Sequence, residues 1–423
     1  MNPLSLSRLL AISSLGFALT LTTNTLEPAV LTHKVLALVP ERSSTALGFT
    51  TFLGLVAAML VQPVVGALSD RTRSRWGRRV PYFVAGALVG IGCLYLIALA
   101  PVFALVVLGV VAIQLAANII QGPWQALIPD LVPSGQRGLA AGVKAMFDIL
   151  ALVVGRLIAG QLVGRYAAWG PAAVVAAVSV PVAVYALALL VTLWGVRASG
   201  GLRRSAEPAP AVPLRRAILN TLAVDFRAYP AFGWWLVNRL LFWAGFVAVT
   251  TFLVLFVVDV IGLPEAEAQP FVGNLATLLG LALVVVTLPA GWLADRLGRR
   301  PIVIASGGLA TAGTGWLLLA GADLAQVAGA AVLVGLGVGF FLSANWALAT
   351  DIVPGGAAAR YLGVANMATA GGSALARLLG SVLVDPLNQA LGSSSAGYQV
   401  LYGLAAVFFL LSALAALRLP GRT

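Results

Sequence analysis

The sequence predicts an all-α polytopic membrane protein of twelve transmembrane helices, built as two six-helix bundles. Three observations carry that prediction. First, 60% of the residues are hydrophobic and 9% charged, with a mean hydropathy of +0.99, whereas a soluble domain has about a quarter of its residues charged. Second, the apolar residues gather into runs of the roughly 20 residues that a helix needs to cross hydrocarbon. Third, a basic motif that follows the second run returns after the eighth.

The amino terminus, MNPLSLSRLLAISSLGFALTLTTNTLEPAV, superficially looks like a signal peptide. Its apolar stretch is too long, carries polar residues deep inside and lacks a small-x-small cleavage site, so it reads as the first span. Spans are predicted near 9–37, 44–68, 81–99, 102–128, 138–164 and 169–196, then near 231–258, 267–293, 302–320, 324–350, 361–384 and 398–417. This divides the chain into an N-terminal bundle (1–196), a polar cytoplasmic linker (197–230) and a C-terminal bundle (231–423).

Charge gives the orientation. One set of loops collects Arg8, the five arginines of GALSDRTRSRWGRR (66–79), Arg137, the linker arginines, Arg296, Arg299, Arg300, Arg360, Arg418 and Arg422. The other set has Lys34, Arg42 and Arg165 among more numerous acids. Positive charge stays inside, which places both termini and the linker in the cytoplasm, in the cell (inner) membrane. A net charge of +12 spread over separate turns is a topology signal and not a nucleic-acid surface. The one cysteine, Cys93, excludes an intramolecular disulfide, and the one histidine, His33, excludes a multi-histidine metal site. No phosphate-binding loop appears. Neither a metal nor a cofactor is expected, nor is an enzyme. The expected partners are a small-molecule solute, protons and the bilayer, with the chain acting as a monomer.

The halves repeat. GALSDRTRSRWGRR matches GWLADRLGRR (291–300), and ALIPDLVPSGQRGLAAGV (126–143) matches ALATDIVPGGAAARYLGV (347–364), a register that pairs Arg156 with Arg377. Matching motifs in corresponding loops mean a parallel duplication about an axis along the membrane normal. On these motifs the whole chain resembles the major facilitator superfamily. LVQPVVGALSDRTRSRWGRRVPY (60–82) and NIIQGPWQALIPDL (118–131) resemble the plant sucrose transporters and their bacterial relatives, near the glycoside–pentoside–hexuronide cation symporters.

Asp70 and Asp295 close helices whose carbonyl ends are already partly negative, so each needs something positive to face. The resemblance implies that Asp70 faces the start of the eleventh helix and Asp295 that of the fifth. It also implies that the arginines of the two turns (Arg71, Arg78, Arg79; Arg296, Arg299, Arg300) bridge to Asp130 and Asp351. Together these would form a conformational latch; arginines that only set topology would give the same pattern.

An ionisable group inside a span usually faces a cavity or a partner. Gln114, Asn118, Gln121 and Gln125 are spaced by four, three and four, which puts them on one helical face. Such a stripe suits a sugar-binding cavity, although interhelical amide packing would also explain it. Asn24 stands near it on the first span, and Asn345 with Trp346 occupy the repeat positions of Trp124 and Gln125, amides beside a flat ring. These seven residues, Asn24 through Trp346, are the candidate substrate ligands. Counting about 1.5 Å per residue, Glu27 and Arg156 reach a similar height of about 27 Å on the first and fifth helices. They form a candidate proton-coupling pair, or a permanent ion pair. Lys144 and Asp148, four apart on one helix, pair directly. Asp148 is a second candidate for coupling, but a lysine neighbour suits a standing ion pair better than a proton carrier. Arg239 lies at a similar depth.

The resemblance weakens at two positions. The sucrose transporters typically carry an aspartate where Gln114 stands and an arginine where Gln125 stands, and the second span lacks the aspartates that melibiose carriers use for sodium. The expected function is secondary active transport of a small polar solute, a sugar or glycoside, by proton symport. Proton-linked export of amphipathic compounds is the alternative, and a non-transporting membrane sensor is a third reading.

Overall fold

The computed structural model describes residues 4–133, 136–199, 225–321, 323–352 and 358–421. Within those helices a few side chains also lie outside the description, among them Asp70, Asp295, Trp346 and Asp351 of the candidate sites. So does most of the 197–230 linker.

Among the described residues twelve helices are long and apolar enough to cross a membrane. The first unit is built from α1 (Leu6–Leu38), α2 (Ser43–Arg71), α3 (Val80–Leu99), α4 (Phe103–Gln125), α5 (Arg137–Val163) and α6 (Pro171–Ala198). The second is built from α7 (Pro230–Asp259), α8 (Glu265–Leu297), α9 (Arg299–Leu319), α10 (Leu324–Ile352), α11 (Ala358–Leu391) and α12 (Ala396–Ala416). The α11 helix runs past the expected end at 384 to Leu391, with Pro386 inside it.

By contact, the chain divides into Met1–Leu38 with Leu53–Ile218, and Val39–Phe52 with Leu219–Thr423. The first ten residues of α2 therefore count with the second unit. In the first unit α1 packs along α5 and α6, while α3 packs along α4 and α6. The second unit repeats the scheme: α7 packs along α11 and α12, and α9 along α10 and α12. Duplication thus survives as a conserved pairing of helices.

Each unit buries its own apolar core. In the first, Leu9, Ile12 and Leu15 of α1 meet Phe83, Ile120, Trp124 and Tyr185. In the second, the Phe242 and Phe341 rings stack with centroids 3.8 Å apart, and Phe409 meets Phe242 edge-on at 5.1 Å. Hydrocarbon supplies no hydrogen-bond partners, and several buried side-chain polar groups bond across helices. Ser14 on α1 meets Thr192 on α6 at 3.0 Å. Within the second unit, Asp385 on α11 accepts the Thr45 backbone N–H at 2.7 Å, capping the first turn of α2. Beside it, Tyr398 donates to Asp259 at 2.5 Å and shares a hydrogen bond with Ser44 at 3.0 Å.

The GRR ends of the two repeated turns have a backbone cause. Gly77 has φ 84° and Gly298 has φ 94°; with ψ 155°, Gly298 sits in a region that only glycine occupies readily. Outside the spans, Asp323 caps α10 by accepting the Ala325 N–H at 2.8 Å, which holds its carboxyl below the usual carboxylate range.

Gly298→Ala is expected to destabilise the protein by about 1–3 kcal/mol, read as a lower thermal unfolding midpoint in detergent. Gly291→Ala in α8, where an added Cβ meets nothing within 4 Å, is the control and leaves the midpoint unchanged or raised. Equal midpoints for the two variants would remove the conformational explanation of the motif.

Candidate functional site

The first unit gathers its ionisable residues around an irregularity in α1. From Leu26 to Leu31 the helix opens into one wide turn. Pro28 lies inside it and has no N–H to give to the preceding turn; such wide turns occur frequently at functional sites. Glu27 stands at the start of that turn. Gln114 on α4 donates from Nε2 to Glu27 Oε1 at 3.3 Å. Arg156 on α5 interacts electrostatically with Glu27 and donates from Nε to Asn24 Oδ1 at 3.2 Å. Glycine permits this convergence: at Gly155 an added Cβ would lie 2.9 Å from the Leu21 carbonyl oxygen and 3.1 Å from Asn24 Cβ. Asn24, Glu27, Gln114 and Arg156 thus form one cluster across three helices.

A small cavity opens beside the cluster. Glu27, Gln114, Thr22, Thr23 and Tyr185 bring polar groups to its wall, but most of the lining is apolar, from Leu19, Leu26, Ile91, Leu94, Ile113 and Ala117. The stripe on α4 does not act as a unit. Asn118 is buried and returns its amide N–H to the Gln114 carbonyl at 2.9 Å, while Gln121 and Gln125 are half-buried further along the helix.

A second cluster lies nearer the basic turn. Lys144 and Asp148 form an ion pair at 2.6 Å, Thr20 on α1 donates to Asp148 at 3.1 Å, and the lysine ammonium sits 5.7 Å from the centre of the Trp124 ring. The indole N–H of Trp124 donates to the Ile12 carbonyl at 2.8 Å. At the basic turn itself, Asp130 on a short helix (Leu127–Leu131) receives Arg78 at 2.6 Å and Arg79 at 3.2 Å. Arg79 also donates to Ser69 at 3.0 Å. Arg71 stands half-buried at the end of α2.

In the second unit Arg239 donates to Thr369 Oγ1 and to Asn345 Oδ1, both at 2.8 Å, and Asn345 Nδ2 donates to Asn238 Oδ1 at 2.8 Å. Asn238 continues to Ser412 at 2.8 Å, and the Trp235 indole donates to the Asn345 carbonyl at 2.9 Å. Asn345 is fully buried in this network. Arg296 lies over Trp292 at 4.0 Å, Arg299 donates to the Ala347 carbonyl at 2.5 Å, and Arg300 donates to the Leu417 carbonyl at 2.7 Å. Thr20, Tyr185, Asn238, Thr369 and Ser412 join these clusters without a motif to announce them. Only the adjacent polar pair Asn238–Arg239, inside an otherwise apolar span, offered a signal.

The Lys144–Asp148 side chains are 33% and 35% exposed, so their coupling in a double-mutant cycle (Lys144→Met, Asp148→Asn) is expected to stay below about 1 kcal/mol. Asp130→Asn, which takes the negative charge from two guanidiniums, should lower stability by about 2 kcal/mol. Unfolding midpoints for the two sets that rank the other way would overturn this order.

The sucrose transport protein SUC4 of Arabidopsis thaliana is 31% identical over 134 residues, 27% of this chain and 25% of that one. Solute carrier family 45 member 4 of Mus musculus is 32% identical over 126 residues, 26% of this chain and 16% of that one. The match thus spans a quarter or less of either relative's length. Among solved structures, the nucleoside transporter NupG superposes with a TM-score of 0.70 at 12% identity, covering 97% of this chain and 98% of that one. A bacterial homologue of the human lysosomal transporter Spinster gives 0.72 at 16%, covering 98% of each. At these identities the likeness shows the fold, which is that of the major facilitator superfamily. The family model described as MFS/sugar transport protein matches residues 30–418, and the chain belongs to that family of integral membrane transporters.

Proposed function

We propose that the chain carries a small polar solute, a sugar or glycoside, in symport with protons, by alternating access, as a monomer with both termini in the cytoplasm of the cell. The observation that carries this reading is the Glu27 cluster: an intramembrane carboxylate held on a wide helical turn by Gln114 and by the charge of Arg156. Gln114 stands where the resemblance predicts an aspartate, and its amide donates to a carboxylate supplied from the facing helix instead.

Protonating Glu27 removes the charge that Arg156 faces. The guanidinium, still fixed through Asn24, then has donors to offer to solute hydroxyls, and solute binding and proton binding become linked. Asp148, already paired with Lys144 and bonded to Thr20, has a positioning role in this scheme. The arginine–Asp130 bridge of the first unit and the carbonyl contacts of Arg299 and Arg300 in the second act as the latch, with Asp70, Asp295 and Asp351 as the partners whose side chains lie outside the described residues. The sucrose and α-glucoside carriers among the relatives, including the general alpha-glucoside permease of Schizosaccharomyces pombe at 34% identity over 100 residues, support the solute class.

Proton-linked export of an amphipathic compound is the second reading, favoured by the largely apolar walls of the cavity beside Glu27. Uptake of labelled disaccharides and hexoses into proteoliposomes separates the two. Acid-driven uptake by the native chain is expected, with Glu27→Gln losing it by more than tenfold while retaining counterflow exchange. Full acid-driven uptake by Glu27→Gln would take the proton away from this residue. Solute efflux driven by inward proton movement, with no sugar uptake, would establish export.

A further inference from the structure

The ends of α7, α9 and α12 meet at a corner of the second unit that includes one of the latch arginines, Arg300. Arg300, at the start of α9, donates from Nη2 to the Leu417 carbonyl at 2.7 Å, just beyond the end of α12. The next residue, Arg418, is exposed, and its guanidinium sits 5.8 Å from the centre of the Trp234 ring on α7. Trp234 is itself 44% exposed. Two guanidiniums and an accessible indole therefore share one spot. The ion pairs among the described residues include neither arginine. The carbonyl end of α12 is worth about half an elementary negative charge, which the two full positive charges of Arg300 and Arg418 outweigh.

The corner continues into an apolar stripe. Val407, Leu410, Leu414 and Leu417 are all exposed along α12, at the spacing of three and four that keeps residues on one helical face. On α7, exposed Val237 follows Trp234 by three. A cationic head at a helix end, an aromatic ring beside it and an apolar track running away from both match an anionic phospholipid part by part: phosphate, glycerol region and acyl chain. A soluble anion would use the first of these and gain nothing from the rest.

We propose that this corner of the second unit binds one anionic phospholipid, its phosphate held by Arg300 and Arg418, its glycerol against Trp234 and one chain along α12. A zwitterionic headgroup brings its own ammonium to a site already positive, so the corner selects against it.

The test uses the full chain in detergent, with thermal unfolding followed on addition of phosphatidylglycerol, phosphatidylcholine or inorganic phosphate. Native mass spectrometry counts the phosphatidylglycerol retained. Phosphatidylglycerol is expected to raise the midpoint and to be retained as one extra molecule. Its affinity should fall about fivefold for each guanidinium removed, in Arg418→Gln and then in Arg300→Gln/Arg418→Gln, while Arg75→Gln in the first unit binds like the native chain. Equal stabilisation by phosphatidylcholine would overturn the proposal, as would equal stabilisation by inorganic phosphate, the mark of a simple anion site. Undiminished retention by the variants would do the same, and if the double variant does not fold, exposed Arg418→Gln decides alone.

Discussion

Everything in this protein follows from a solvent that offers no hydrogen bonds. In hydrocarbon the backbone is satisfied by its own helix, which leaves side chains as the means of joining one helix to another. Several polar groups that leave water therefore find a partner on a neighbouring helix. Ser14 finds Thr192, Asn238 finds Ser412, and Trp124 and Trp235 each give their indole N–H to a backbone carbonyl. Where nothing polar intervenes, glycine lets backbones touch. At Gly372 an added Cβ would stand 2.2 Å from the Leu240 carbonyl oxygen, a contact no substitution could keep.

The duplication explains why the two units share a pairing of helices and yet differ in chemistry. Arg156 and Arg239 both donate to an asparagine side chain, but Arg156 also faces Glu27, while Arg239 is woven into a chain of amides and hydroxyls that ends on α12. Relieved of duplicating one another, the units are free to divide the work. In the proposed scheme the first holds the titrating group and the second supplies a rigid, hydrogen-bonded frame.

Much of the fold was legible because bilayer thickness converts directly into run length, and all twelve helices coincide with apolar runs. Pairings within one helix were equally legible, since Lys144 and Asp148 at i and i+4 meet by geometry alone. The Glu27–Arg156 relation came from counting residue heights on two helices, arithmetic that works because the rise per residue is constant. What stayed hidden depended on rotation and on contacts between distant segments. The helical spacing of Gln114, Asn118, Gln121 and Gln125 did not disclose that Asn118 turns its amide back onto its own helix. Nor did any motif tie Thr45 to Asp385 across 340 residues of sequence. The role of Gly298 was written in the motif but readable only once its φ of 94° was known.

The wide turn in α1 has a meaning in the history of the chain. A turn of this kind is an ordinary helix holding one residue too many, and each residue advances a helix by about 100°. The wide turn absorbs that advance locally, so deleting a single codon within Leu26–Leu31 would restore regular winding and leave the two halves of α1 on their present faces. Asn24 and His33, on either side of the turn, would stay in place, and only the residues of the turn itself, Glu27 among them, would be re-aimed. An insertion of one residue is thus a short evolutionary step by which an ancestral regular helix could present a carboxylate to a neighbour it had previously passed by.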